Sequence, residues 1–104
     1  MHYVILAEHS AEVCPTSNAK SKALLLDMGP QIPKIAEQNS VNIIAGPFVN
    51  HEHTAVVIAE TDRAENLYDF LTQTRLPQWN RIRILPSIPL AEGLDEVSES
   101  ASLF

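Results

Sequence analysis

Thr54-Ala55-Val56-Val57-Ile58-Ala59-Glu60 is apolar at every position between its polar ends. Side chains of a strand alternate between two faces, so Val56 and Ile58 point one way while Ala55, Val57 and Ala59 point the other. An antiparallel sheet with one wet face alternates apolar and polar residues. This stretch does not, and two others repeat its pattern. Val41, Ile43 and Ala45 oppose Ile44 and Gly46; Tyr3, Ile5 and Ala7 oppose Val4 and Leu6. A sheet built from these strands has two apolar faces, and each needs a cover.

The segments between the strands supply one cover. After a polar break at residues 10–17, Leu24, Met28, Ile32, Ile35 and Ala36 keep one helical phase across Gly29-Pro30 and Pro33. Each proline removes a backbone donor, so the reading is one long helix kinked near Gly29, or two segments sharing a face. Thr16 or Ser17 is the expected cap. Val49-Asn50-His51-Glu52-His53 is a short polar hairpin between strands two and three. Asp62 with Glu65 forms a variant capping box, and Ala64, Leu67, Tyr68 and Leu71 recur at helical spacing up to Leu76-Pro77. Arg81 to Leu85 is a fourth strand with Ile82 and Ile84 on one face. Ala91 to Val97 is a short last helix, followed by a flexible or partner-docking tail at residues 98–104.

The order β-α-β-β-α-β defines an α+β, ferredoxin-like domain with a four-stranded antiparallel sheet in the order 4-1-3-2. Its helices cover one face only. A second copy packed sheet on sheet covers the other, because an apolar patch of that size is unusual on a monomer and two-fold pairing is the commonest assembly. In element order and strand patterning, from His2 to Val97, the chain resembles the dimeric α+β barrel superfamily, and most of all its small domains of unknown function. The resemblance implies the fold and a homodimer or higher homo-oligomer. It implies no single activity, since that superfamily hosts isomerases, monooxygenases, haem enzymes and effector-binding modules. Its haem-degrading branch places a histidine on the second helix, and residues 62–76 contain none.

With 104 residues there is room for one domain, 1–104, and one core. A composition 45% hydrophobic and 19% charged excludes a disordered chain. The net charge of −6 argues against a nucleic-acid partner, which favours a basic face. No apolar run approaches the roughly 18–20 residues of a membrane helix, and Met1–Leu6 lacks a basic leader and reads as a strand. A lone cysteine fits a reducing compartment, so the expected location is cytoplasmic. No glycine-rich phosphate loop, C-x-x-C or H-E-x-x-H occurs, so no cofactor is expected.

Candidate site residues follow from the expected topology. Strands one and three are read as parallel, so one end of the sheet collects Glu8, His9, Cys14, Glu60, Asp62, Trp79 and Arg81. Cys14 before a helix start, with His9 nearby, suits a Cys/His pair; the bland alternative is a small packed thiol and a strand-end histidine. Glu8 late in a covered central strand would be desolvated, as a general base for a carbon acid requires; otherwise it is solvated or paired with Arg81 or Arg83. Trp79 and Arg81 would wall and orient a substrate. The opposite end holds His2, His51 and His53, where His51-x-His53 can clasp a metal ion with His2 as third ligand.

Three functions remain open on the sequence. The first is a cofactor-independent enzyme, of isomerase or monooxygenase type, acting on a small apolar or aromatic metabolite through Glu8, His9 and Cys14. The second is a non-catalytic dimer that binds a small ligand. The third is a metal-binding protein using His2, His51 and His53.

Overall fold

A computed structural model describes residues 1–101 of the chain. Its elements are β1 (His2–Glu8), α1 (Ala19–Met28), α2 (Ile32–Gln38), β2 (Asn42–Phe48), β3 (Thr54–Glu60), α3 (Ala64–Thr74), β4 (Arg81–Ser87) and α4 (Leu90–Glu99). The four strands form one sheet in the order β2-β3-β1-β4, antiparallel at every pairing. That is the ferredoxin-like α+β order expected from the strand patterns.

One expectation fails, and it matters for the site. β1 and β3 are antiparallel: His2 lies opposite Glu60 and Glu8 opposite Thr54. The helical crossover returns the chain so that β2 runs with β1, and the hairpin then reverses it. Consequently His51 and His53 lie at the His9 and Cys14 end of the sheet. His2 lies at the other end with Glu60 and cannot join them on a metal ion.

The core sits between one face of the sheet and α2 and α3. Tyr3, Ile5, Ala7, Val57 and Ala59 from the strands are buried against Ile32, Ile35 and Ala36 of α2 and Leu67, Phe70 and Leu71 of α3. Each large side chain here contributes about 1.5–3 kcal/mol by leaving water. On α3 the buried stripe is Leu67, Phe70, Leu71 and Thr74, so Phe70 takes the place expected of Tyr68, which is exposed. On the other sheet face Val4, Leu6, Val56 and Ile58 stay partly exposed, and Ile44 and Leu85 more so.

The helix across Gly29 is broken into two. Gly29–Gln31 forms a 3-10 turn, and both Pro30 and Pro33 fall at first-turn positions, where a missing N–H costs least. The caps differ from expectation. Asn18, not Thr16 or Ser17, caps α1, its Oδ1 accepting from the N–H of Lys20 and of Ser21 at 3.0 Å each. Ser17 instead donates to the carbonyl of Ala11 at 2.7 Å, and Thr16 is engaged with Cys14. The Asp62–Glu65 capping box does not form: α3 starts after Arg63 with no side-chain cap, and Glu65 faces Arg63 at 3.4 Å. α4 continues through Ser98 and Glu99 and buries none of its residues. The tip of the expected tail, at 102–104, lies outside the described residues.

Candidate functional site

The inward alternation of Tyr3, Ile5 and Ala7 has one more step. His9, just past β1, falls on the same side and reaches the end of the space between sheet and helices. A cavity of about 660 Å3 opens there. Ile5, Ala7, Ala55 and Val57 form its sheet wall, and Leu25, Ile32, Phe70 and Leu71 its helix wall. Its rim carries His9, Cys14, Thr16, His51, His53, Trp79 and Asn80. Apolar walls with a few convergent polar groups are the usual make-up of a small-molecule site.

The end of β1, the turn at Cys14 and the β2–β3 hairpin meet at that rim, held by hydrogen bonds to and between their backbones. Asn50 closes the β2–β3 hairpin, its Oδ1 accepting from the N–H of Glu52 at 3.0 Å and of Thr54 at 3.3 Å. His53 takes the left-handed conformation at φ 56° that the turn requires. The N–H of His9 donates to the carbonyl of His53 at 3.0 Å, which ties the hairpin tip to the end of β1. Cys14 ends a short 3-10 turn, and its carbonyl accepts from the N–H of Ser17 (2.9 Å) and of Asn18 (2.8 Å). On the β2 side, Gly46 stands at φ 88° within a bulged stretch of β2, and a Cβ there would come within 2.5 Å of the Val56 carbonyl. Only glycine passes there, and the chain then brings Pro47 and Val49 to the cavity.

His9 is the most constrained of the polar side chains. Its Nδ1 lies 3.0 Å from Asn80 Oδ1. The Asn80 amide is oriented by its own Nδ2, which donates to the Leu76 carbonyl at 3.1 Å, so the oxygen faces His9. An oxygen can only accept; therefore neutral His9 carries its proton on Nδ1 and keeps the lone pair on Nε2. That Nε2 is buried and has no hydrogen-bond partner. Rings of His53 and Trp79 flank His9, with centroids 5.3 Å and 5.1 Å away.

Cys14 is buried, and its Sγ lies 3.1 Å from Thr16 Oγ1. The Thr16 hydroxyl, then the Thr16 backbone N–H, hold the thiol below its ordinary pKa, with His53 adding to the effect and burial opposing it. Ligand-capable atoms of His9, Cys14 and His53 all lie within 4.8 Å of one another.

The residues singled out in the sequence thus separate. His9, Cys14 and Trp79 come together at the cavity, joined by His53 from the hairpin. His51 lines the cavity but stands outside the three-residue cluster. Glu8 and Arg81 stand opposite each other on neighbouring strands with no ion pair between them, are exposed, and do not line the cavity. His2 is half-buried at the far end with its Nε2 3.5 Å from Glu60. Asn80 was not foreseen; its only signal is its place beside Trp79, where the chain leaves a 3-10 turn and enters β4. No protein-family model matches this chain, and no curated protein matches it. Among the described residues no helix is long and apolar enough to cross a membrane.

Proposed function

We propose that this protein is a small-molecule enzyme that takes a compact, largely apolar molecule into the cavity and acts on its polar group with His9, Cys14 and His53. The observation that supports this reading is the convergence of those three side chains on the rim of an apolar cavity about 660 Å3 in size. The apolar body of the substrate lies against Ala7, Ala55, Val57 and Phe70, and its polar group faces the rim. His9 is arranged as a proton acceptor, because Asn80 reserves its Nδ1 and leaves the Nε2 lone pair free. Cys14, favoured toward the thiolate by Thr16, supplies a nucleophile or an anion beside it. Glu8, on the other sheet face, has no part in this arrangement.

The working unit in this reading is a homodimer of the α+β barrel kind. The partly exposed apolar face of the sheet favours it, and so does α4, where Leu90, Leu94 and Val97 form an exposed stripe at 77%, 59% and 74% accessibility. Analytical ultracentrifugation at micromolar concentration should give a dimer, and Leu94→Glu should shift it toward monomer. A wild-type protein that sediments as a monomer throughout would remove this part of the proposal.

Trp79, the single tryptophan, borders the cavity and serves as the probe. Small aromatic and aliphatic aldehydes, ketones and carboxylates are titrated while its fluorescence is followed, and binders are then tested for turnover. Ala55→Phe, which fills the cavity from its sheet wall, should weaken binding at least about tenfold. His9→Ala should abolish turnover and leave binding of the apolar body. A ligand that binds equally well to Ala55→Phe would place the site elsewhere, and binders that never turn over would support a purely ligand-binding dimer.

A further inference from the structure

We propose that His9, Cys14 and His53 form a binding site for one transition-metal ion of the zinc class, with its fourth position open to the cavity. The open position gives this proposal its meaning for the cavity reading above, on which that part rests; the site itself stands on four independent observations.

The first is geometric. Three points no more than 4.8 Å apart have a position within about 2.8 Å of all of them (4.8/√3). Zinc binds imidazole nitrogen at about 2.0–2.1 Å and thiolate sulfur at about 2.3 Å, so the side chains need to close by well under an ångström. Rotation about their χ angles supplies that without moving the backbone, which is already pinned by the His9 N–H to His53 carbonyl bond.

The second is the orphaned Nε2 of His9. It is a buried polar atom without a partner, the kind of vacancy a folded protein seldom leaves unexplained. The third is the hydrogen bond behind it. A metal-bound histidine commonly donates its other N–H to a carbonyl or carboxylate oxygen that fixes the tautomer and aims the ring. Asn80 Oδ1, itself oriented by the Leu76 carbonyl, does this for His9.

The fourth is the donor set. One thiolate and two imidazoles suit Zn2+, Co2+ or Cu+ and suit Mg2+ or Ca2+ poorly, since those prefer oxygen. The Thr16 hydroxyl lies 3.1 Å from Sγ, within reach to donate to the thiolate that a metal ligand must be. As the ion binds, the Cys14 thiol gives its proton to solvent and the two neutral imidazoles bind through lone pairs. Three protein ligands leave a position for water or for the polar group of a substrate, the arrangement of catalytic and not of structural zinc sites.

The test uses full-length protein without a polyhistidine tag, stripped with a chelator and titrated with Co2+ and then Zn2+. One equivalent of Co2+ should bind per chain with intense d–d bands of tetrahedral cobalt and a thiolate-to-cobalt charge-transfer band. Cys14→Ser should remove the charge-transfer band, and His9→Ala and His53→Ala should each weaken Zn2+ binding roughly 100-fold or more. His2→Ala and His51→Ala should leave it within about threefold. Circular dichroism on each variant separates metal loss from unfolding, and a folded Cys14→Ser that retains the band counts against the site. A weak octahedral spectrum without the thiolate band, or a loss at His51→Ala equal to that at His53→Ala, overturns the proposal. Ligand binding by the metal-free protein, read from Trp79, is scored separately. Metal without ligand then refutes only the cavity reading, and ligand without metal refutes only this one.

Discussion

The two ends of the sheet each carry a histidine from the β1 segment, and the two are placed for different work. At one end His2 faces Glu60 at 3.5 Å, half in water, with the N-terminal amine bonded to the Thr61 carbonyl nearby. Among the described residues no buried side-chain polar atom at that end lacks a partner. At the other end His9 is turned inward over a cavity, its Nδ1 committed to Asn80 and its Nε2 without a partner, and its ring is grouped with Cys14 and His53. Residue type is the same at both ends. What separates the two histidines is which of their nitrogens the neighbours leave free, and whether water can reach them.

Three substitutions sharpen that contrast, and the largest effect is expected at Asn80. Asn80→Ala releases the His9 ring and leaves the Leu76 carbonyl without its side-chain donor. Zn2+ affinity should fall about 10- to 100-fold, as for other lost outer hydrogen bonds to a metal-bound histidine. Isothermal titration of metal-free protein measures it, and an unchanged affinity would deny Asn80 its orienting role.

Gly46→Ala is expected to come next. The added methyl meets the Val56 carbonyl, and an L-residue at φ 88° is strained, so urea denaturation should show a loss of at least about 1–2 kcal/mol. Because Pro47 and Val49 follow at the cavity, ligand binding should also weaken, although no cluster residue has changed. An unaltered midpoint would mean that β2 does not need its bulge.

His2→Ala should do least. The His2–Glu60 pair is half-exposed, and such pairs contribute about 0–1 kcal/mol. Thermal unfolding should barely shift, and metal affinity should stay within about threefold. A His2 variant that lost metal would erase the distinction between the two ends.

Much of this fold was legible in the residues. The two-sided apolar pattern of residues 54–60 and 2–8 announced central strands, and Gly29-Pro30 announced the broken helix. Other features depend on spatial relations that local pattern does not encode. Strand direction is set by how many times the chain reverses, so a parallel reading of β1 and β3 places His53 at the wrong end even with every strand correctly located. The cap went to Asn18 because the hydroxyls of Thr16 and Ser17 were already taken by Cys14 and Ala11. Of the site, His9 and Cys14 were legible as a pair near a helix start. Asn80 was not, since its importance lies in an amide orientation imposed by Leu76, four residues back.

The proposed metal site requires sulfur from Cys14 and nitrogen from two histidines to meet at one point. X-ray absorption at the zinc edge of protein loaded with one equivalent of Zn2+ measures this directly. One sulfur at about 2.3 Å, two imidazole nitrogens at about 2.0–2.1 Å and one further light atom are predicted. A shell of nitrogen and oxygen alone, with no sulfur, would contradict it.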